Sequence, residues 1–229
     1  MARKFDLHMH SSYSLDAIAS PASIAEKCYN EGLAGFAITD HGSMKGYEKA
    51  KAYVKEAKLP IQVIGGCEFL SNAGEVIGLF IESMPPAHTI ADFGSLCDAI
   101  HDEGGFAILP HPFDSFRKHV CRPDKLPSDL LRLIDGIETF NARSRKVEDN
   151  LKAQEWAHGK NLCLTGGSDA HFTFECASAY TCVEGDMPLD IALRRKKTSP
   201  AGGRTPFYSQ GLPTIAKFLK KHGIIKMPK

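Results

Sequence analysis

Apolar and polar side chains alternate at the start of the chain. In FDLHMH (5–10), Phe5, Leu7 and Met9 fall on one face and Asp6, His8 and His10 on the other, which predicts a strand. The period then lengthens. SPASIAEKCYNEGL predicts a helix, with Ser20 as N-cap, Pro21 in the first helical position, an apolar stripe of Ile24, Ala25, Cys28 and Tyr29, and Gly32 as its stop. GFAITDH (35–41) reads as a strand and residues 43–58 as a helix rich in Lys and Glu. IQVIGGCEF (61–69) and EVIGLFIE (75–82) read as strands, and the short SNAG between them suggests a hairpin. A helix near 90–103 closes at Gly104-Gly105, and GFAILPH (105–111) is the next strand. After a basic, aromatic loop comes a short helix from Ser128, then the strand DGIETFN (135–141). Residues 144–158 read as a helix with Val147, Leu151, Ala153 and Trp156 as buried positions. LCLTGGSDAH (162–171) and SAYTCVEG (178–185) are the last strands, and a helix over 187–197 ends in RRKK.

About eight strands alternating with helices predict an α/β protein with a parallel sheet and helices outside it. The 229-residue length favours a closed, barrel-like form, since such barrels run to about 250 residues. The expected organisation is a barrel over 1–197 and a C-terminal extension over 198–229, packed on the barrel or at an interface.

Composition narrows the classes. The chain is 43% hydrophobic and 24% charged with a formal net charge of +1, so no global field points to nucleic acid or a membrane surface. No apolar run reaches the ~18 residues of a membrane span, and MARKFDLH has no signal-peptide core. Seven cysteines, an odd number without a CxxC pair, read as reduced thiols in a cytoplasmic protein.

Candidate chemistry collects at the C-terminal ends of the expected strands, the face on which barrel enzymes build their sites. His8 and His10, Asp40 and His41, Glu68, His111, Glu138 and Asn141, and Asp169 and His171 all fall there. Side chains two apart on a strand share a face, so His8 and His10 can reach one cation, and Asp169 and His171 repeat the arrangement. Each motif alone has a plainer reading: Asp40 as a helix N-cap, His111-Pro112 as a turn. Their coincidence at most strand ends carries the inference. A mixed imidazole and carboxylate set too large for one tetrahedral ion implies two or three.

Taken in order, DLHMHSSYSLD, GLAGFAITDHGS, ILPHP and GGSDAH resemble the four motifs of the polymerase-and-histidinol-phosphatase (PHP) domain phosphoesterases. GGCEF and GIETFNAR fit the same pattern, and the resemblance spans about residues 5–183. It implies a distorted, TIM-like (β/α)7 barrel and a trinuclear site of Zn, Mn or Fe. His8, His10, Glu68 and Asp169 would surround one ion. Glu68 would bridge to a second ion shared with His111, and Asp16, His41 and His171 would hold a third. Asp16 departs from members that carry histidine there. The remaining ligand of the second ion is Glu138 or His119, with Glu138 favoured; if neither reaches, the site holds two ions.

The expected reaction is metal-dependent hydrolysis of a phosphate ester by a metal-bridged hydroxide. His171, His41 and Asp169 are the catalytic candidates, either imidazole protonating the leaving alkoxide. Arg143, which follows ETFN, is the first candidate for the substrate phosphate, with Arg145 and Arg117 beside it. A small phosphomonoester or nucleotide is favoured over a polymer; nucleic acid stays open as a partner, and no membrane is expected. Two rival readings are an amidohydrolase-type metal hydrolase and a non-catalytic metal-binding module. The first is discounted because no lysine sits at an expected strand end.

Overall fold

The computed structural model describes residues 2–228. Strand β1 (Arg3–Asp6) continues in extended conformation and leads to helix α1 (Pro21–Asn30). Helix α1 starts where its sequence dictates. The Ser23 amide donates to the Ser20 hydroxyl at 3.0 Å, Pro21 opens the first turn, and Ile24, Ala25 and Cys28 are fully buried. Gly32, at φ +71°, makes the left-handed exit. Tyr29 lies at the edge of the apolar stripe and is 43% exposed.

There follow β2 (Gly35–Ala37), α2 (Lys45–Glu56), β3 (Gln62–Ile64), β4 (Gly66–Ser71) and β5 (Gly74–Leu79). Next come α3 (Ala87–Ile90), α4 (Phe93–Asp102), β6 (Phe106–Leu109), α5 (Ser128–Leu131), β7 (Gly136–Asn141), α6 (Val147–Ala157) and β8 (Cys163–Gly167). The chain ends with β9 (Ala179–Val183), α7 (Leu189–Arg194), β10 (Thr198–Gly202) and α8 (Leu212–Lys221). No helix among the described residues is long and apolar enough to cross a membrane.

The strands do not close the (β/α)7 TIM-like barrel expected from the sequence. They form two open five-stranded sheets, in the orders β10-β9-β1-β2-β3 and β4-β5-β6-β7-β8. Both sheets are mixed: β1, β2 and β3 run parallel while β9 is antiparallel to β1 and β10, and β5 is antiparallel to both β4 and β6. Connection length accounts for one of these reversals, that of β5 on β4. Parallel neighbours need a crossover of a dozen or more residues. The β4–β5 link is a tight hairpin, so β5 runs back beside β4.

The sheets separate at Gly65, between β3 and β4, where the backbone is pressed against Ile81: an added Cβ would lie 1.9 Å from the Ile81 carbonyl oxygen. Between the sheets lies a shared apolar interior that includes Phe5, Leu7, Ile64, Ile77, Leu79 and Phe106. Full burial of each such side chain stabilises by about 1.5–3 kcal/mol. Beyond this interior, two single bridges join the sheets, Met9 to Ala170 and His41 to Glu68. Each contains or adjoins polar residues of the strand ends. Thr198–Gly202 pairs with β9 residue for residue, and α8 buries Ala216 and Lys220.

Candidate metal centre

The extended residues after β1 place His8 and His10 side by side, with their Nε2 atoms 3.3 Å apart. Glu68 enters from β4: Oε1 lies 3.8 Å from His8 Nε2 and 3.3 Å from His111 Nε2, and Oε2 lies 3.4 Å from His10 Nε2 and 3.1 Å from His41 Nδ1. Asp169 Oδ1 comes within 3.4 Å of His10 Nε2, 3.6 Å of His171 Nδ1 and 3.7 Å of His8 Nε2. Asp16, on the loop after β1, sets Oδ2 3.5 Å from His41 Nε2 and 3.7 Å from His171 Nε2. His8, His10, Glu68, His111 and Asp169 are each no more than 2% exposed.

Four groups of three donors converge here: His8, His10 and Glu68; His8, His111 and Asp169; His10, His41 and His171; and Glu68, Glu75 and His111. Two ligands each about 2.1 Å from one ion stand about 3.0–3.4 Å apart, which is close to the spacings above. Both oxygens of Glu68, Oδ1 of Asp169, Oδ1 of Asp16 and Oε2 of Glu75 are buried with no hydrogen-bond partner. Buried carboxylate oxygens are ordinarily paired, because desolvating an unpaired charge costs several kcal/mol. These residues therefore fit divalent cations. His111 at φ +29° and Asp169 at φ +52° hold backbone conformations that non-glycine residues rarely adopt, a strain that clusters at functional sites.

The donors are strongly coupled: despite their burial, His8 is held well above the usual imidazole range by Glu138 and Asp169, and His41 by Asp16 and Glu68. Burial opposes the charge on Glu68, but the imidazoles of His111, His41 and His8 outweigh it and hold the carboxyl well below its usual range. Burial likewise opposes the charge on Asp169, and Arg117 and His8 overcome it. Burial and then the neighbouring His41 and His171 push His10 down to about 3, so its ring is a neutral donor.

A second layer orients the first. Glu138 belongs to none of the four groups. Its Oε1 lies 3.1 Å from His8 Nδ1, and its Oε2 accepts the His111 amide at 2.8 Å and the Asn141 side-chain amide at 2.9 Å. A proton on His8 Nδ1 thus points at Glu138, leaving the Nε2 lone pair for the centre. His119 is exposed and gives its carbonyl to the Glu75 amide at 2.8 Å. Asp40 does not cap α2, whose N-cap position is Met44; it accepts from Ser11 Oγ at 2.5 Å and Ser14 Oγ at 2.6 Å. The Ser14 hydroxyl in turn accepts the His41 amide at 3.1 Å.

The three arginines have different surroundings. Arg143 is buried: Nη1 donates to Glu175 Oε1 at 2.5 Å, and Glu175 Oε2 accepts the His171 amide at 2.9 Å. Its charge is thus spent on holding the turn that carries His171. Arg117 reaches inward, pairing with Asp169 and lying 3.3 Å from Asp114 Oδ2. Arg145 is exposed above the Phe116 ring, 5.0 Å from its centre. A cleft of about 170 Å³ bounded by these arginines, Phe116 and His171 opens on one side of the centre. A wider cleft of about 860 Å³, with Lys118, His119 and Lys217 on its wall, opens past His41 and Glu68.

Glu75 is the site residue that sequence reasoning passed over. Its Oε2 lies 3.9 Å from His111 Nε2, and it heads an otherwise apolar strand, EVIGLF. A carboxylate in that setting is a signal, but it acquires meaning only once the hairpin pairs it beside Leu70 and carries it to Glu68.

Imidazoles and buried carboxylates with partnerless oxygens, converging at the strand ends of an α/β fold, define a metal-dependent hydrolase. The chain belongs to the PHP domain family, whose model matches residues 6–174. An uncharacterised protein of Methanocaldococcus jannaschii is 34% identical over 180 residues, 77% of this chain and 69% of that one. The fold is similar to a two-domain Bacteroides vulgatus protein containing a predicted PHP-like metal-dependent phosphoesterase, with TM-score 0.70 and 21% identity over 95% of this chain and 70% of that one. It is also similar to an amidohydrolase from Chromobacterium violaceum solved with bound sulfate and no metal, with TM-score 0.65 and 17% identity over 84% of this chain and 96% of that one.

Proposed function

We propose that this hydrolase cleaves a small phosphate ester with two or three ions of Mn, Zn or Fe. The observation that carries the reading is the set of partnerless buried oxygens on Glu68 and Asp169, directly beneath a rim of arginine and lysine. An interior that binds cations under a positive rim suits an anionic substrate. His8, His10, Glu68 and Asp169 would hold one ion. Glu68, His111 and Glu75, rather than Glu138, would hold a second, and Asp16, His41 and His171 a third. Divalent cations bound there supply a Lewis acid for the phosphoryl oxygens and lower the pKa of a water towards neutrality.

The chain's own groups bind and orient the ester. Arg145, exposed on the narrow cleft, can fork onto phosphoryl oxygens, while Arg117 beside it is engaged by Asp114, His111 and Asp169 and adds its charge. His171 lies on the wall of both clefts with its Nδ1 tied to the Asp169 carbonyl at 2.8 Å, so Nε2 is the atom able to pass a proton to the leaving alkoxide when two ions are bound. Seven free cysteines, six of them buried, suit a reducing cytoplasmic setting.

The test is phosphate release from p-nitrophenyl phosphate, nucleoside monophosphates and bis-p-nitrophenyl phosphate with Mn, Zn or Fe supplied. Metal-dependent turnover of a monoester, lost in Asp169→Asn, is expected. No turnover of any ester with any of the metals would overturn the proposal.

A further inference from the structure

Asp16 differs from the other carboxylates of the centre. Glu68 and Asp169 sit on or beside strands, whereas Asp16 rides on the loop between β1 and α1, 22% exposed, with a buried Oδ1 that has no partner. Something must hold that loop. At its ends, Ser11 and Ser14 are tied to Asp40, and the Ile18 amide donates to the His171 carbonyl at 3.0 Å. Its middle is held from far away in the chain. Lys220, in the last turn of α8, is 7% exposed, and its Nζ donates to the carbonyls of Ser12 at 2.7 Å, Ser14 at 2.6 Å and Ala17 at 2.5 Å.

An ammonium has three donors, and all three are used here on consecutive parts of one turn. The cradle contains no carboxylate salt bridge, so a buried cation has been committed to shaping backbone. The three carbonyls bracket Asp16 on both sides. The same C-terminal stretch also braces the opposite wall. Thr205 donates its amide to the Ala142 carbonyl at 2.9 Å, and the Gln210 carbonyl accepts from Arg143 at 3.4 Å. All of these bracing residues lie beyond residue 174, where the family match ends.

We infer that Lys220 is a positioning residue for the metal centre: α8 delivers its ammonium to the 12–17 turn and so fixes Asp16 opposite His41 and His171. The inference rests on the reading of Asp16 as a ligand. Truncating groups that orient a ligand ordinarily costs about 10–100-fold in metal affinity.

The experiment is calorimetric titration of the chelator-stripped full chain with Mn²⁺ alone. Lys220→Met is expected to weaken one ion by about 10–100-fold and leave the others as in the wild type, with Lys220→Arg recovering part of the loss. Lys221→Met, on the exposed neighbour, is the control. A residue that merely anchors α8 would lower the melting temperature without singling out one ion. Asp16→Asn separates the two layers of the argument. If Asp16→Asn loses no ion, the ligand reading fails. If it does while Lys220→Met binds like the wild type, the positioning role alone is overturned. Hydrogen exchange on the wild type needs no variant: Mn²⁺ should protect the amides of 12–19 and of α8 together, and protection of the loop with α8 unchanged would contradict the inference.

Discussion

His8 shows how one residue of the centre is made. One ring nitrogen faces Glu138 and the other faces His10, Glu68 and Asp169, so the outer carboxylate sets which lone pair the centre receives. Glu138→Gln should therefore lower metal affinity by about 10–100-fold while leaving the ligand set intact, read by Mn²⁺ titration. Arg143 illustrates a different case. Its partner Glu175 is 1% exposed, and removing the guanidinium leaves a buried anion without its cation. Arg143→Met should destabilise the fold by about 3–5 kcal/mol in urea denaturation, and a change confined to KM with stability intact would show that the pair is not structural. In the sequence His8 and His10 stand out by their i, i+2 spacing, and Asp169 and His171 by the same spacing, although β8 ends at Gly167 and Asp169, at φ +52°, lies on a turn rather than on the expected strand. Arg143 looks like a free cation there, because an ion pair across 32 residues leaves no trace in local pattern.

At the scale of elements, the strands had to come close enough for those side chains to meet, and glycine permits it. A Cβ on Gly167, the last residue of β8, would stand 2.5 Å from His8 Cβ and 2.8 Å from Glu138 Oε1. Gly167→Ala should cost about 1–3 kcal/mol through overpacking and weaken metal binding by pushing His8 off its place. A variant with wild-type melting temperature and metal content would refute that contact. The start of helix α1 is legible to the residue because its cap and first-turn proline are local signals, and Gly32 marks its exit two residues past Asn30. The hairpin of β4 and β5 is legible for the same reason. Strand direction is not: period-2 alternation is identical for parallel and antiparallel strands, and β9 pairs with β1, a strand far away in the chain, so no local signal shows that it runs backwards.

The whole molecule is two open sheets over a shared apolar interior, and the centre lies where the bridges Met9–Ala170 and His41–Glu68 join them. Cations bound there would tie residues from both sheets, so stability should be linked to metal. An ion at about 100 times its dissociation constant adds about 2.7 kcal/mol. Expectation of a closed barrel came from length, alternation and the family resemblance, none of which senses whether edge strands actually pair. The meeting of the strand-end donors does not need closure, because it depends on which strand ends carry imidazoles and carboxylates. The most direct test of the central claim is to strip the chain with a chelator, restore Mn²⁺ in steps, and measure bound metal, melting temperature and phosphate release from p-nitrophenyl phosphate on the same samples. The account predicts that all three rise together in the wild type and that Asp169→Asn loses both turnover and ions. Full turnover in the metal-free chain, or full ion loading with no hydrolysis, would contradict it.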